Sequence, residues 1–301
     1  MTLVRMTQNM LSRQSFTGMQ TAMARVAKAQ EQLTTGRLIN RPSDDPTGAT
    51  SAMRIRSSLA AQTQYVRNAD DAVGWLDQSD SALQEATTQV SRARDIALQG
   101  ANGGALGPKA LEALATEVDQ IREGLITTAN TKYLDRPIFG GITAGGAAYK
   151  ADGTLADPDA LGTPSGVVRT VADGARIRID LEGPAVFGPE GDSVFTHLTD
   201  LSDALRTGDS AAIQTAISTL KADSDRVSNA QADIGARTVR VETARSVAND
   251  ATLTLSNALS SVENVDLAKA TVDLGLREVA YQAALGATAR VLQPSLLDFL
   301  R

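Results

Sequence analysis

The chain has no cysteine, a single histidine and a single tryptophan, and aromatic residues make up only 3% of its 301 positions. Disulfides, thiol catalysis and cysteine-ligated metals are therefore excluded. So few rings suit close-packed, alanine-rich helices better than the core of a globular enzyme. No apolar run approaches the ~18 residues that mark a membrane span. The first 20 residues have neither the apolar core nor the small-residue cleavage site of a signal peptide. The expectation is no membrane insertion, and either a cytosolic chain or one that leaves by a route without a cleaved signal. Net charge is −6, with both signs interspersed. No basic patch is visible, which argues against nucleic acid or an anionic membrane as partner.

Proline is absent between Pro189 and Pro294, so nothing there forces a helix to break. What fills that stretch is a seven-residue repeat: Ile213, Leu220, Val227, Ile234, Val241, Ala248, Leu255 and Val262. An apolar heptad held this long predicts one helix packed along a seam against other long helices. Leu220, Val227, Ile234, Val241 and Leu255 are taken as the seam of the bundle. The neighbouring row (Ser224, Gln231, Thr238, Arg245) is mixed, which disfavours a simple two-stranded zipper.

In chain order, residues 1–35 read as a helix with Phe16, Met19, Met23, Val26 and Leu33 on one face and an unusual number of methionines, which suit adaptable packing surfaces. Arg41-Pro42-Ser43-Asp44-Asp45-Pro46 is a rigid loop, and Asp44 and Asp45 read as turn and cap residues rather than as an acid–base pair. A second long helix spans about 49–99, interrupted on its seam by Gln62, Asp80, Thr87 and Arg94, with Trp75 beside the seam as a packing anchor. A glycine-rich turn and Pro108 start a third helix that fades near Asn130. From Leu134 to Ser193 helical periodicity vanishes, and residues 167–171 and 176–181 around Asp173-Gly174 predict a β-hairpin. Asp209 caps the long helix and Asp266 a last one. This last helix is apolar on several sides, with Ala280, Ala283, Ala287 and Val291 in one row and Leu274, Tyr281, Leu285 and Leu292 in another. One intrachain partner cannot cover it. Met19, Met23, Val26, Leu33, Leu274, Tyr281, Leu285, Val291 and Leu292 are therefore the expected assembly interface, buried by other copies.

No chemistry-bearing constellation survives beside these helices. The run Gly140–Gly146 lacks the Lys-Ser/Thr and the helix of a phosphate loop. Asp152, Asp157 and Asp159 lack the spacing of a calcium loop. His197 has no partner in the sequence. No enzymatic activity, cofactor or metal is expected.

The segment Ala29 to Pro46, containing Leu33-Thr34-Thr35-Gly36-Arg37 and Asn40-Arg41-Pro42-Ser43-Asp44-Asp45-Pro46, resembles the N-terminal signature of the bacterial flagellar axial proteins. So do Tyr65–Trp75, Gln99–Gly103 and Phe139-Gly140-Gly141. Val262–Ala270, Ala280–Ala284 and the ending Val291-Leu292-Gln293-Pro294-Ser295-Leu296-Leu297-Asp298-Phe299-Leu300-Arg301 are similar to its C-terminal end. Pro42, Pro46 and that ending favour the hook-associated branch at the hook–filament junction over filament flagellin.

The resemblance implies a mainly α, flagellin-like fold: an elongated bundle of long antiparallel helices with coiled-coil termini and a small inserted β domain. Its expected divisions are assembly helices at 1–40 and 267–301, middle-bundle helices at 41–133 and 194–266, and an outer β-rich insertion at 134–193. It further implies a structural subunit, exported through the flagellar type III apparatus to the extracellular flagellum. An export chaperone would hold its C-terminal helix. Its partners would be other copies, a neighbouring hook-associated protein and flagellin. A more distant alternative is a cytosolic coiled-coil tether. That tether would be a stable dimer by light scattering, whereas a junction subunit would be a monomer that polymerises.

Overall fold

The computed structural model describes the backbone of residues 8–102, 107–143, 145–161 and 166–292. Met1, Met6 and the segment 293–301 lie outside the described residues, as do the side chains of Leu11, Val291 and Leu292. The elements are α1 (Gln8–Thr35), α2 (Pro46–Ala101), α3 (Pro108–Ala129), β1 (Lys132–Tyr133), β2 (Arg136–Pro137), β3 (Val168–Ala172), β4 (Ala175–Arg178), α4 (Gly183–Phe187), α5 (Val194–Thr207), α6 (Ser210–Glu263) and α7 (Leu267–Leu292). The long helices start where the sequence supplies caps. Asp45 Oδ1 accepts from the amides of Thr47 and Gly48, with Pro46 as the first helical residue of α2. Asp209 and Asp266 accept in the same way at α6 and α7.

The chain forms two compact units, Met1–Ala60 with Thr252–Arg301, and Ala61–Ala251, and α2 and α6 contribute to both. The second unit holds the large buried side chains. Ile213, Leu220, Val227, Ile234 and Val241 of α6 are buried at every heptad position, together with Trp75, Leu76, Leu83, Val90 and Ile96 of α2 and Val118 and Leu125 of α3. They share one hydrophobic cluster with Leu198, Leu201 and Leu205 of α5. Two members of the mixed row of α6 meet acidic residues of α2: Gln231 donates to Asp80, one of its seam interruptions, at 3.2 Å, and Arg245 pairs with Asp70 at 2.8 Å. These pairs set the two helices antiparallel and fix their register with polar contacts beside the apolar seam.

The non-helical stretch is anchored in the same cluster. Phe139, Tyr149, Phe187 and Phe195 meet edge to face or tilted with ring centroids 5.0–5.7 Å apart, so four of the scarce aromatics gather at one place. Burial, with no hydrogen-bond partner for the hydroxyl among the described residues, raises the Tyr149 pKa. The hairpin β3–β4 turns at Asp173-Gly174 as expected, Gly174 taking a positive φ. Val171 is bulged out of register between Thr170 and Ala172 and lies buried. A second hairpin, β1–β2, has no glycine signal: its loop residues Leu134 and Asp135 both take positive φ, 46° and 64°.

Candidate assembly surface

Within the first unit, α1 packs against α7. Their less exposed residues follow alternating four- and three-residue steps: Ser15, Met19, Ala22, Val26, Ala29 and Leu33 on α1, and Ala270, Leu274, Arg277, Tyr281, Ala284 and Thr288 on α7. That spacing is the seam of a coiled coil. Arg277 donates to the carbonyl of Arg25 at 3.1 Å, while Val265 donates to Gly36 at 3.0 Å, so the pair is antiparallel.

The loops at its closed end are joined by backbone pairing. Leu38 donates to Glu263 at 2.7 Å and Arg37 bridges Asn264. Glu263, itself buried, meets Arg56 of α2 at 2.7 Å. The Arg41–Pro46 loop is tied down by Asp44, whose Oδ2 accepts from the amides of Asn40 and Arg41 and whose Oδ1 meets Lys28 at 2.9 Å. The Lys28 ammonium, followed by those amides, holds the Asp44 carboxyl below its ordinary range. Arg41 pairs with Glu31 at 3.3 Å, and Pro42 and Ser43 are exposed. A Cβ at Gly48 would stand 2.6 Å from Ile39 Cδ1, so a larger residue where α2 starts would displace the ends of the Ile39 and Asp45 side chains. A cavity of about 430 Å³ lies between Ala29, Gln32 and Leu38 on one side and Asn264, Val265, Lys269 and Ala270 on the other.

Pairing covers only part of the apolar surface. Met19, Val26, Leu33, Leu274 and Tyr281 lie half-buried on the α1–α7 seam. Met23 and Phe16 are 60% and 53% exposed, and Leu285 is exposed as well. Leu255, on the part of α6 that belongs to this unit, is half-buried. Val272, Leu276 and Val279, at four- and three-residue spacing, are 65%, 66% and 63% exposed. The two rows drawn from the sequence of α7 miss this third one; the signal is there in the Val-Leu-Val spacing, but it is interleaved with Asp273, Arg277 and Glu278 and reads as a polar face. Among the described residues, the buried apolar side chains of this unit are Ala29, Ala49 and Ala52. So small a core contributes little burial energy.

Two further groupings in the second unit escaped sequence reading. His197 has close partners after all: its Nδ1 lies 2.7 Å from Asp223, 1% exposed, and its Nε2 lies 2.9 Å from Asp192. Arg226 holds the other Asp223 oxygen at 2.7 Å. The Asp223 hydrogen bond, helped by both carboxylate charges and opposed by burial, raises the His197 pKa. The fold also assembles a basic patch that no run of sequence shows, from Arg176, Arg178, Arg237 and Arg240. Among the described residues, no group of three or more His, Asp or Glu is arranged to hold a metal ion. No helix there is long and apolar enough to cross a membrane.

These features define a helical protein whose terminal helices pair with each other and still present unpaired apolar rows. Residues 6–143 match the bacterial flagellin N-terminal helical region, and residues 213–300 the bacterial flagellin C-terminal helical region. The chain belongs to the bacterial flagellin family. Flagellar hook-associated protein 3 of Salmonella typhimurium is 26% identical over 93% of this chain and 95% of its own length. The protein of the same name in Escherichia coli is 26% identical over 70% of this chain and 62% of its own. The flagellar filament 33 kDa core protein of Treponema phagedenis is 27% identical over 92% of both chains. The crystal structure of Bacillus cereus FlgL superposes with a TM-score of 0.59 and 27% identity, covering 69% of this chain and 99% of that one.

Proposed function

We propose that this chain is a structural subunit of the bacterial flagellum that joins hook to filament, assembling through α1 and α7. The observation that carries the reading is the apolar surface left after those helices pair: Val272, Leu276 and Val279 on α7, with Phe16 and Met23 on α1. Exposed apolar rows of this kind mark interaction surfaces, and in a protein of this family the natural cover is neighbouring subunits. Relatives bearing the hook-associated name, and the FlgL likeness, support the junction role over that of the filament. Other copies, a neighbouring hook-associated protein and flagellin are the partners of this reading. Export unfolded through the flagellar type III apparatus, with a chaperone on α7 and the segment after it, goes with it.

Deleting the gene in its host tests the reading: hooks should still form while flagellin is shed into the medium. Normal filaments on the deletion strain would refute it. Filament flagellin is the second reading, favoured by the similarity to the Treponema filament protein. It predicts loss of filament protein itself, with no flagellin shed. Co-purification of a small helical protein with the full chain, lost on removing residues 267–301, would test the chaperone.

A further inference from the structure

The four arginines brought together in the second unit have no part in the assembly reading. They line a surface groove of about 370 Å³, with Arg176 and Arg178 from β4 and Arg237 and Arg240 from α6, and the one carboxylate in the lining, Asp233, is paired with Arg237. Residues two apart on a strand share a face, and residues three apart on a helix are surface neighbours. The short repeats Arg-x-Arg and Arg-x-x-Arg therefore converge across the groove.

Two of the guanidinium groups are built into its wall. Arg178 meets the buried Asp180 at 2.9 Å and Glu182 at 2.7 Å. Arg237 donates to the carbonyls of Arg178 and Asp180 at 3.2 and 2.9 Å and pairs with Asp233 at 2.5 Å. The side chains of the other two, Arg176 and Arg240, are exposed and make no hydrogen bond or ion pair among the described residues. A chain of net charge −6 has no general basic surface that would put them there by default. Two free guanidiniums line this one volume, and their forked donors match the paired oxygens of a carboxylate, phosphate or sulfate.

We propose that the groove between β4 and α6 is an oxyanion-binding site, with Arg176 and Arg240 as the ligand-contacting residues. The inference is independent of the flagellar role. The oxyanion is either a free ion or an acidic side chain of a second copy, and one experiment separates these sources.

Wild-type protein and the double variant Arg176→Gln/Arg240→Gln are titrated with sodium phosphate against sodium chloride at matched ionic strength. Melting midpoints and arginine Nε–Hε resonances are followed. Both replaced side chains are exposed, so the variant folds. Phosphate stabilises most proteins by exclusion from their surface, so the difference between the two chains is the readout. The expected result is a larger phosphate-specific rise in midpoint for the wild type and saturable shifts of its arginine resonances, with apparent affinity at least about tenfold weaker in the variant. Sedimentation velocity in the same series identifies the source. Self-association that phosphate and the double variant both weaken assigns the oxyanion to a second copy; unchanged sedimentation assigns it to a free ion. Equal midpoint gains in both chains, with no saturable shift, would overturn the site.

Discussion

At the scale of single residues, two side chains sit where local chemistry sets the energetics. Leu134 occupies the left-handed region with φ 46° and is 74% exposed, so its side chain returns little for the strain. That conformation costs a non-glycine residue about 1–2 kcal/mol. Leu134→Asn should therefore raise stability by up to about 1 kcal/mol, read as a higher urea midpoint with an unchanged slope. A lower midpoint would mean that Leu134 packs against something.

His197 gives the second unit a pH dependence near neutrality. The groups facing it are Asp223 and Asp192, with Arg226 on the far oxygen of Asp223. Its pKa is raised on folding, so the folded state binds the proton more tightly. The resulting stabilisation is complete below the unfolded value of about 6.5 and is lost as pH rises through the higher folded value. The melting midpoint of the wild type should fall between pH 6 and pH 9 more steeply than that of His197→Gln. Parallel curves would remove His197 from the account.

At the scale of elements, α6 and α7 give opposite predictions. Leu220 is buried on the α6 seam. Truncating such a leucine costs about 2–5 kcal/mol, and an unpaired buried carboxylate adds to that. Against a total of about 5–15 kcal/mol, Leu220→Asp should melt far below the parent, as followed by circular dichroism. On α7 the exposed row behaves differently. Leu276→Asp should move monomer stability by no more than about 0.5 kcal/mol yet abolish filament attachment, scored by motility and electron microscopy. Tyr281→Asp, on the seam with α1, should loosen the helix pair itself, visible as faster amide exchange along α1. Reversal of the two outcomes would exchange the inner and outer faces assigned to α7.

At the scale of the whole molecule, the two units differ in what holds them. One has the buried leucines and isoleucines and the clustered rings; the described buried apolar residues of the other are three alanines. Paired helices with so little buried area are marginal in water. Native-state hydrogen exchange should therefore find α1 and α7 opening at much lower free energy than the segment around Val227 and Ile234. Removing residues 267–301 should leave the unit Ala61–Ala251 melting near the parent temperature while attachment is lost. Equal protection at both ends and at Ile234 would contradict assembly through induced order.

How far the sequence alone reached follows from the range of the forces involved. Heptad spacing, caps and prolines act within a few residues. Hence α6 and its buried positions Leu220, Val227, Ile234 and Val241, the caps Asp45, Asp209 and Asp266, and the Asp173-Gly174 turn were all legible. The family was legible too, because its signatures are contiguous at both ends. Tertiary structure decided everything that depends on which distant residues meet. Leu274 and Tyr281 face α1 while Val272, Leu276 and Val279 do not; a helix apolar on several sides does not say which side its partner takes. His197 found Asp223 26 positions away, and Arg176 found Arg240 across the hairpin–helix groove. Pairings such as these arise only when packing fixes side chains from separate elements in one place, and no local periodicity encodes them.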